Sequence, residues 1–280
     1  MAMASTAVVT PDFAQLPAIS DAEFSKFQRF IYEAAGITLA AGKKILVTSR
    51  LARRLQHCEC TTYAEYLHLL ASGQRPEEVQ IAVDLLTTNE TYFFREPRHF
   101  EFLREQVRRS PRASPPRVWS AAGSTGEEAY SIAMVLEDCM QGHPWEVIAS
   151  DISVRVIAKA RAGHYPMERA RNIPLPYLQR FCLKGDGRQE QTLLVERSLR
   201  NKVRFLQVNL NAPLPNIGKF DFVFLRNVLI YFNADTKRDV VARVLGQLKP
   251  GGWLFIGHSE NLRDITDAVT LFAPSIFQKR

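Results

Sequence analysis

The chain has 280 residues, 46% hydrophobic and 23% charged, the make-up of a globular protein of one large or two ordinary domains. No apolar run approaches the ~18 residues needed to cross a bilayer. Net charge is +7, which suits nucleic acid, an acidic membrane or an acidic protein partner without choosing among them.

The opening MAMASTAVVTPDF lacks the basic start and long apolar core of a signal peptide, so residues 1–19 read as a flexible tail. Ser20-Asp-Ala-Glu23 is a capping box, and Phe24, Phe27 and Ile31 make an apolar face that ends at Gly36. A second helix runs through KKILVTSRLARRLQHC, with Ile45, Leu51 and Leu55 on its inner face and Lys43, Arg50, Arg54 and His57 sharing another. Arg53 adds to its positive charge. Such a stripe is either a solvated surface or a docking face for an acidic partner. Cys58-Glu-Cys60 follows without a second ligand pair at zinc spacing. With Cys139 and Cys182 these thiols are too few and scattered for a disulfide frame, so free cysteines in a reducing cytosol, and no metal, are expected.

Thr62 to Glu65 is a second capping box, opening a helix that ends near Gly73, and Pro76 opens PEEVQIAVDLL. Residues 20–88 therefore form a small helical bundle. Residues 89–116 read as a linker region with a helix, ending in the turn-rich SPRASPP.

Residues 117–280 alternate strand and helix. Strands are expected at 117–122, 146–150, 203–208, 220–225 and 253–257, and helices at 127–140, 154–162 and 235–248. This pattern argues for a parallel sheet covered on both faces, and the closing VTLFAPSIFQKR adds an antiparallel edge. About 40 residues separate the second of those helices from the strand at Val203, where a connection usually takes 2–6. Within that interval, about 163–202, two strands flank a Gly185-Asp-Gly187 turn, so an antiparallel hairpin is inserted.

In such sheets ligands sit beyond the carboxyl ends of the strands. Those ends deliver Gly123 to Glu128, then Asp151, Asn209, Arg226-Asn227 with Tyr231, and His258 to Glu260. Asp151 suits a ribose diol and equally suits a helix cap. The first loop is neither a dinucleotide fingerprint nor a P-loop. A carboxylate at a helix start gains ~0.3–1 kcal/mol. Like charges 4 Å apart at an effective dielectric of 20 repel by ~4 kcal/mol. Glu127 and Glu128 are therefore either ordinary helix-start acids facing water or a site that disfavours a phosphate and suits a cationic nucleoside such as S-adenosylmethionine.

The stretches LTTNETYFFRE, VWSAAGSTGEE, ASDIS, LRNVLIYF and GHSEN, in that order, resemble the CheR family of chemotaxis receptor glutamate O-methyltransferases from about Ser20 onward. The resemblance implies a class I, Rossmann-like S-adenosylmethionine-dependent methyltransferase sheet with an inserted β-subdomain and an N-terminal helical bundle. It puts cofactor contacts on Asn89, Thr91, Arg95, Glu128, Asp151, Asn209, Leu210, Arg226 and Asn227. It sets Arg95 and Tyr231 facing the transferring methyl. Glu90 and Tyr92 depart from other members and receive no role. The implied reaction is direct transfer to an already ionised glutamate carboxylate, giving a methyl ester and S-adenosylhomocysteine. The implied partners are methyl-accepting chemotaxis receptors, recognised through their cytoplasmic coiled-coil helices by Lys43, Arg50, Arg53 and Arg54. A C-terminal receptor peptide would pair with the hairpin at Gly185 and Gly187, which an ordinary turn also requires. The protein is then cytoplasmic and recruited to membrane receptor arrays, without membrane insertion. The alternatives are a nucleic acid methyltransferase, disfavoured because Arg226 to Tyr231 carries no prolines, and a non-catalytic S-adenosylmethionine-sensing docking module. His258 reads as packing or capping at the last strand end.

Overall fold

A computed structural model describes residues 18–110 and 115–280. Most of the expected tail and the middle of SPRASPP lie outside the described residues. The helical part comprises α1 (Asp21–Ala35), α2 (Lys44–His57), α3 (Tyr63–Ser72) and α4 (Pro76–Leu86), followed by α5 (Arg98–Arg109). Ser20 and Glu23 form the reciprocal cap of α1. At α3 only half of the expected box forms. The Thr62 hydroxyl accepts from the Glu65 amide, but the Glu65 carboxylate closes on the Thr61 amide at 2.6 Å, one residue further out. Phe27, Ile31, Val47, Leu51, Tyr63 and Tyr66 are fully buried between these helices.

Helix α2 departs from its expected faces. Lys43 belongs to a 3-10 turn before the helix, and Ile45 points outward with 82% exposure. Arg54 is not a free surface charge, because its guanidinium pairs with the buried carboxylate of Glu78, which also accepts from the Tyr66 hydroxyl at 2.6 Å. Burial alone would raise the Glu78 carboxyl, but Arg54 and Tyr66 hold it below the usual carboxylate range. Arg50 donates to the carbonyls of Leu86 and Thr87 at 3.1 and 2.9 Å. Of the expected stripe, Lys43, Arg53 and His57 remain exposed.

The larger part contains β1 (Arg117–Ala121), α6 (Glu127–Met140), β2 (Glu146–Asp151), α7 (Val154–Ala162), β6 (Val203–Gln207), β7 (Phe220–Leu225), α10 (Ala234–Gln247), β8 (Leu248–Ile256), β9 (Val269–Ala273) and β10 (Ile276–Lys279). The strands run in the order β6-β2-β1-β7-β8-β10-β9, the first five parallel and the last two antiparallel. One face packs Phe224, Phe255 and Val118 against α5 and α6; the other packs Trp119, Val223 and Leu254 against α10. Strand order reverses between β1 and β7, which opens a crevice at their carboxyl ends.

The insert is larger than a hairpin. It holds β3 (His164–Pro166), α8 (Leu175–Phe181), β4 (Cys182–Lys184), β5 (Thr192–Val195) and α9 (Arg197–Arg200), with strand order β3-β5-β4. A Cβ on Gly185 would lie 2.0 Å from the Gln189 carbonyl oxygen, and Gly187 takes φ 49°, so the turn alone requires both glycines. Tyr165 and Arg169 brace this subdomain against the first loop: the Tyr165 hydroxyl donates to the Thr125 carbonyl at 2.7 Å.

The helical part docks on the sheet through charge and backbone. Asp84 of α4 accepts the first amides of α7, Val154 at 3.2 Å and Arg155 at 3.0 Å. Asn209 donates to the Ala34 carbonyl at 2.7 Å, and the Thr38 amide to the Tyr231 carbonyl at 2.8 Å. No helix of the described residues is long and apolar enough to cross a membrane.

Removing one partner of a buried ion pair costs ~3 kcal/mol or more. Arg54→Met should therefore lower denaturant stability by about that amount, whereas Arg53→Glu, on the exposed side of the same helix, should change it by less than ~0.5 kcal/mol. Equal effects in urea titrations would contradict the assignment of Arg54.

Candidate functional site

The crevice between the sheet and the helical part is a cleft of about 1090 Å³, open mouth included. That is the scale of a small-molecule site. Its first wall is the turn after β1. Ala122 and Ser124 adopt left-handed backbone, with φ 63° and 50°. Gly126, φ 96°, completes the turn; a Cβ there would come within 2.8 Å of the Ala160 Cβ, so α6 starts this close to α7 only with glycine.

That turn separates the two adjacent acids. Glu128 lines the cleft, whereas Glu127 is turned inward, accepting from the Thr125 hydroxyl at 2.6 Å and lying 3.5 Å from Arg169. The expectation of two carboxylates at the mouth is thus corrected, because neighbouring residues on a helix point about 100° apart. Burial pushes the Glu127 carboxyl up.

Glu128 accepts from the Ser120 hydroxyl at 2.7 Å and faces Arg226 Nη1 at 2.9 Å. The Arg226 side chain is 1% exposed, and its Nη2 lies 3.0 Å from Glu96 on the opposite side. That nitrogen also donates to the Arg95 carbonyl. One guanidinium therefore holds two buried carboxylates and the backbone of the Asn89–Arg95 segment. Burial pushes the Glu128 carboxyl up more strongly than Arg226 and Ser120 pull it down. At Glu96 burial is outweighed by Arg226 and the His258 amide, which hold that carboxyl low. His99, fully buried behind Arg226, is pushed down to about 3 by burial and by the neighbouring guanidinium, so it is neutral.

Asp151 binds two loops at once, accepting from the Ser124 amide at 2.9 Å and the Ser153 amide at 3.0 Å. The cap of α7 is the Ser153 side chain, which leaves Asp151 on the cleft wall. Asn89 and Thr91 enter from the segment before α5. The Asn89 carbonyl accepts from the Ser124 hydroxyl at 2.9 Å, and the Thr91 carbonyl accepts from Arg169. Asn209 and Leu210 follow β6. Asn227, with φ 56°, follows β7 and leads into the short turn ending at Tyr231. Arg95 donates to the Glu90 carbonyl at 3.2 Å and lies 5.6 Å from the Tyr92 ring centroid. Burial raises the Tyr231 phenol, so it stays protonated at neutral pH.

All nine expected cofactor residues and Tyr231 line this one cleft; Lys43, Arg50, Arg53, Arg54, Gly185 and Gly187 do not. Arg50 reaches its rim through the Thr87 carbonyl.

Sequence reasoning missed Glu260 as a brace. Its carboxylate accepts from the amides of Asn227, Leu229 and Gly257 at 2.9, 2.7 and 2.6 Å, which fixes the turn that carries Tyr231. It also missed Glu96, whose φ of 59° aims its carboxylate inward. His258, expected to pack or cap, donates its amide to Glu96 at 3.2 Å and leaves its ring half-exposed.

Residues 89–275 match the family described as CheR methyltransferase, SAM binding domain, and residues 22–87 match CheR methyltransferase, all-alpha domain. The chain belongs to the CheR methyltransferase family. It is 44% identical over 263 residues to the "Chemotaxis protein methyltransferase" of Escherichia coli K12, covering 93% of this chain and 91% of that protein. It is 42% identical to "Chemotaxis protein methyltransferase 2" of Pseudomonas aeruginosa, covering 85% and 86%. Among solved structures, the glycopeptide N-methyltransferase MtfA with S-adenosylmethionine aligns over 56% of this chain and 53% of that one, at TM-score 0.33 and 20% identity. The CheR-family cofactor is S-adenosylmethionine. The cleft fits it: Asp151 and Glu128 bring two carboxylates to its wall, acceptors of the kind that hydroxyls and a cation require.

Asp151→Asn keeps shape and removes the charge. A hydrogen bond to a charged group contributes ~1.5–3 kcal/mol. Calorimetry should show S-adenosylhomocysteine binding weakened about tenfold or more, and thermal unfolding should show a loss of ~1–3 kcal/mol, because the Asn amide cannot accept from both the Ser124 and Ser153 amides.

Proposed function

We propose that the protein transfers a methyl group from S-adenosylmethionine to glutamate side chains of chemotaxis receptors, as a protein-glutamate O-methyltransferase. The observation that carries this reading is the extent of the similarity to chemotaxis protein methyltransferases, which covers 93% and 85% of this chain, beside family matches over residues 22–87 and 89–275. A glutamate carboxylate is ionised at pH 7 and needs no general base. One carboxylate oxygen forms the new bond to the methyl carbon as the sulfur–methyl bond breaks, and the electron pair stays on sulfur. The cofactor supplies the electrophilic methyl. The protein's task is alignment and exclusion of water.

Arg95 attracts and steers the incoming carboxylate, and Tyr231, protonated, donates a hydrogen bond that orients it or the cofactor. Their positions on the cleft wall support these roles. Asn89, Thr91, Glu128, Asp151, Asn209, Leu210, Arg226 and Asn227 hold the cofactor. Receptor coiled-coil helices, rich in acidic residues, dock on the exposed charges of Lys43 and Arg53, with Arg50 at the rim. Complementary charge of this kind raises the encounter rate. Strand β4 has a free edge and an exposed Leu183. A receptor's C-terminal peptide adds to that edge as a further strand, which raises the local substrate concentration. The protein so acts in the cytoplasm, at receptor arrays.

Transfer of labelled methyl groups to receptor preparations tests the reaction. The label should be released as methanol by mild base and should map to glutamates; base-stable label would overturn the ester assignment. Tyr231→Phe and Arg95→Ala should each lower kcat/KM by about tenfold or more, equivalent to ~1.4 kcal/mol. Unchanged turnover in both would remove their assigned roles. Calorimetry with a receptor C-terminal peptide should give saturable heat that is lost on Leu183→Asp; absence of heat would exclude the tether.

A further inference from the structure

Glu96, His99 and His258 meet behind Arg226, on the side away from the cleft. One ligand atom from each lies within 4.8 Å of the others, the one such group among the described residues. His99 Nδ1 is 3.5 Å and His258 Nε2 3.7 Å from the same Glu96 oxygen. A tetrahedral zinc ion with bonds of ~2.0–2.1 Å sets its ligand atoms ~3.3 Å apart, so small side-chain shifts suffice.

The buried part of this group is not satisfied by the protein. His99 is fully buried, and neither ring nitrogen has a hydrogen-bond partner. Buried polar atoms are almost always paired, and an orphan of this kind points to an ion or water. Glu96 accepts left-handed backbone to bring its carboxylate here, a conformation that concentrates at functional sites. His258 stands edge-on to His99, ring centroids 5.4 Å apart, and its side chain is 54% exposed. It opens on a surface cleft flanked by Glu101 and Glu105, with Arg98 beside them. That cleft leaves the His258 ring open to solvent, with two glutamates and one arginine along it.

We propose that Glu96, His99 and His258 bind a divalent transition metal ion of the zinc type, completed by solvent at the His258 side, and that its binding weakens the methyl donor's hold on the cleft through Arg226. Two imidazoles and one carboxylate are a ligand set suited to zinc. Both imidazoles and Arg226 Nη2 face the same Glu96 oxygen, Oε2, while Oε1 accepts the His258 amide, so an ion here competes with the guanidinium for that oxygen. Without metal, Glu96, Arg226 and Glu128 sum to one negative charge, which favours a sulfonium cation. A divalent ion turns that sum positive in a buried, low-dielectric setting. S-adenosylhomocysteine has no sulfonium charge and should feel the change less. The coupling rests on the methyl-donor reading; the metal site itself does not.

Titrating the full chain with Co²⁺ and reading its visible absorption tests the site. One equivalent should bind with the intense bands of low coordination number and be displaced by Zn²⁺. His258→Ala, a half-exposed position, should weaken binding ~10-fold or more. His143→Ala, at an exposed histidine elsewhere, should not. No binding, equal binding in His258→Ala, or a sulfur charge-transfer band from the cysteines would overturn the site. In a second arm, Zn²⁺ should weaken S-adenosylmethionine several-fold more than S-adenosylhomocysteine in calorimetry, and His258→Ala should erase the difference. Equal weakening of both would overturn the coupling. Failure of both nucleosides to bind metal-free protein would instead overturn the methyl-donor reading and leave the Co²⁺ result standing.

Discussion

The architecture of the cleft turns on one buried cation. Arg226 is almost wholly withdrawn from solvent, yet it meets Glu128 on one side and Glu96 on the other. A lone guanidinium in that position would be prohibitively costly, and so would either carboxylate. The three are mutually dependent, and each belongs to a different segment: the end of β7, the start of α6 and the approach to α5. Their pairing fixes how those segments sit relative to one another, and the cleft is the space left between them.

Backbone strain is concentrated around the same space. Ala122, Ser124 and Asn227 carry left-handed backbone on the cleft wall, and Phe94 and Glu96 flank Arg95 in the same conformation. Such residues persist only where surrounding contacts over-determine them. Here those contacts are visible: Asp151 and Asn89 on Ser124, Glu260 on Asn227, Arg226 on Arg95. A cleft held this way is organised in advance of its ligand, which lowers the ordering cost of binding.

Much of this was legible in the sequence because period and punctuation are local signals. Helices α6 and α7 and strand β7 fall on their expected residues, and the closing antiparallel pair follows from its Pro turn. The order of strand-end residues likewise placed Asp151, Asn209 and Arg226 together. What stayed hidden depends on partners distant in the chain. Arg54 reads as a surface charge until Glu78 is seen beneath it. Glu127 and Glu128 are indistinguishable as letters, and only the turn at Gly126 sends one inward and one to the cleft. Glu260 stood in a motif already noticed, but its work is done on backbone amides, which sequence does not display. The unforeseen strand of the insert, β3, is three residues long, too short for a periodic pattern.

The helical domain contributes Ala35 and Ile37 to the cleft lining, and Asn209 and Tyr231 from the other side hydrogen-bond to its backbone. The cleft is consequently a seam, with its two lips on different domains. A ligand lodged in a seam acts as a stitch: its binding free energy adds to the cohesion of the parts it touches.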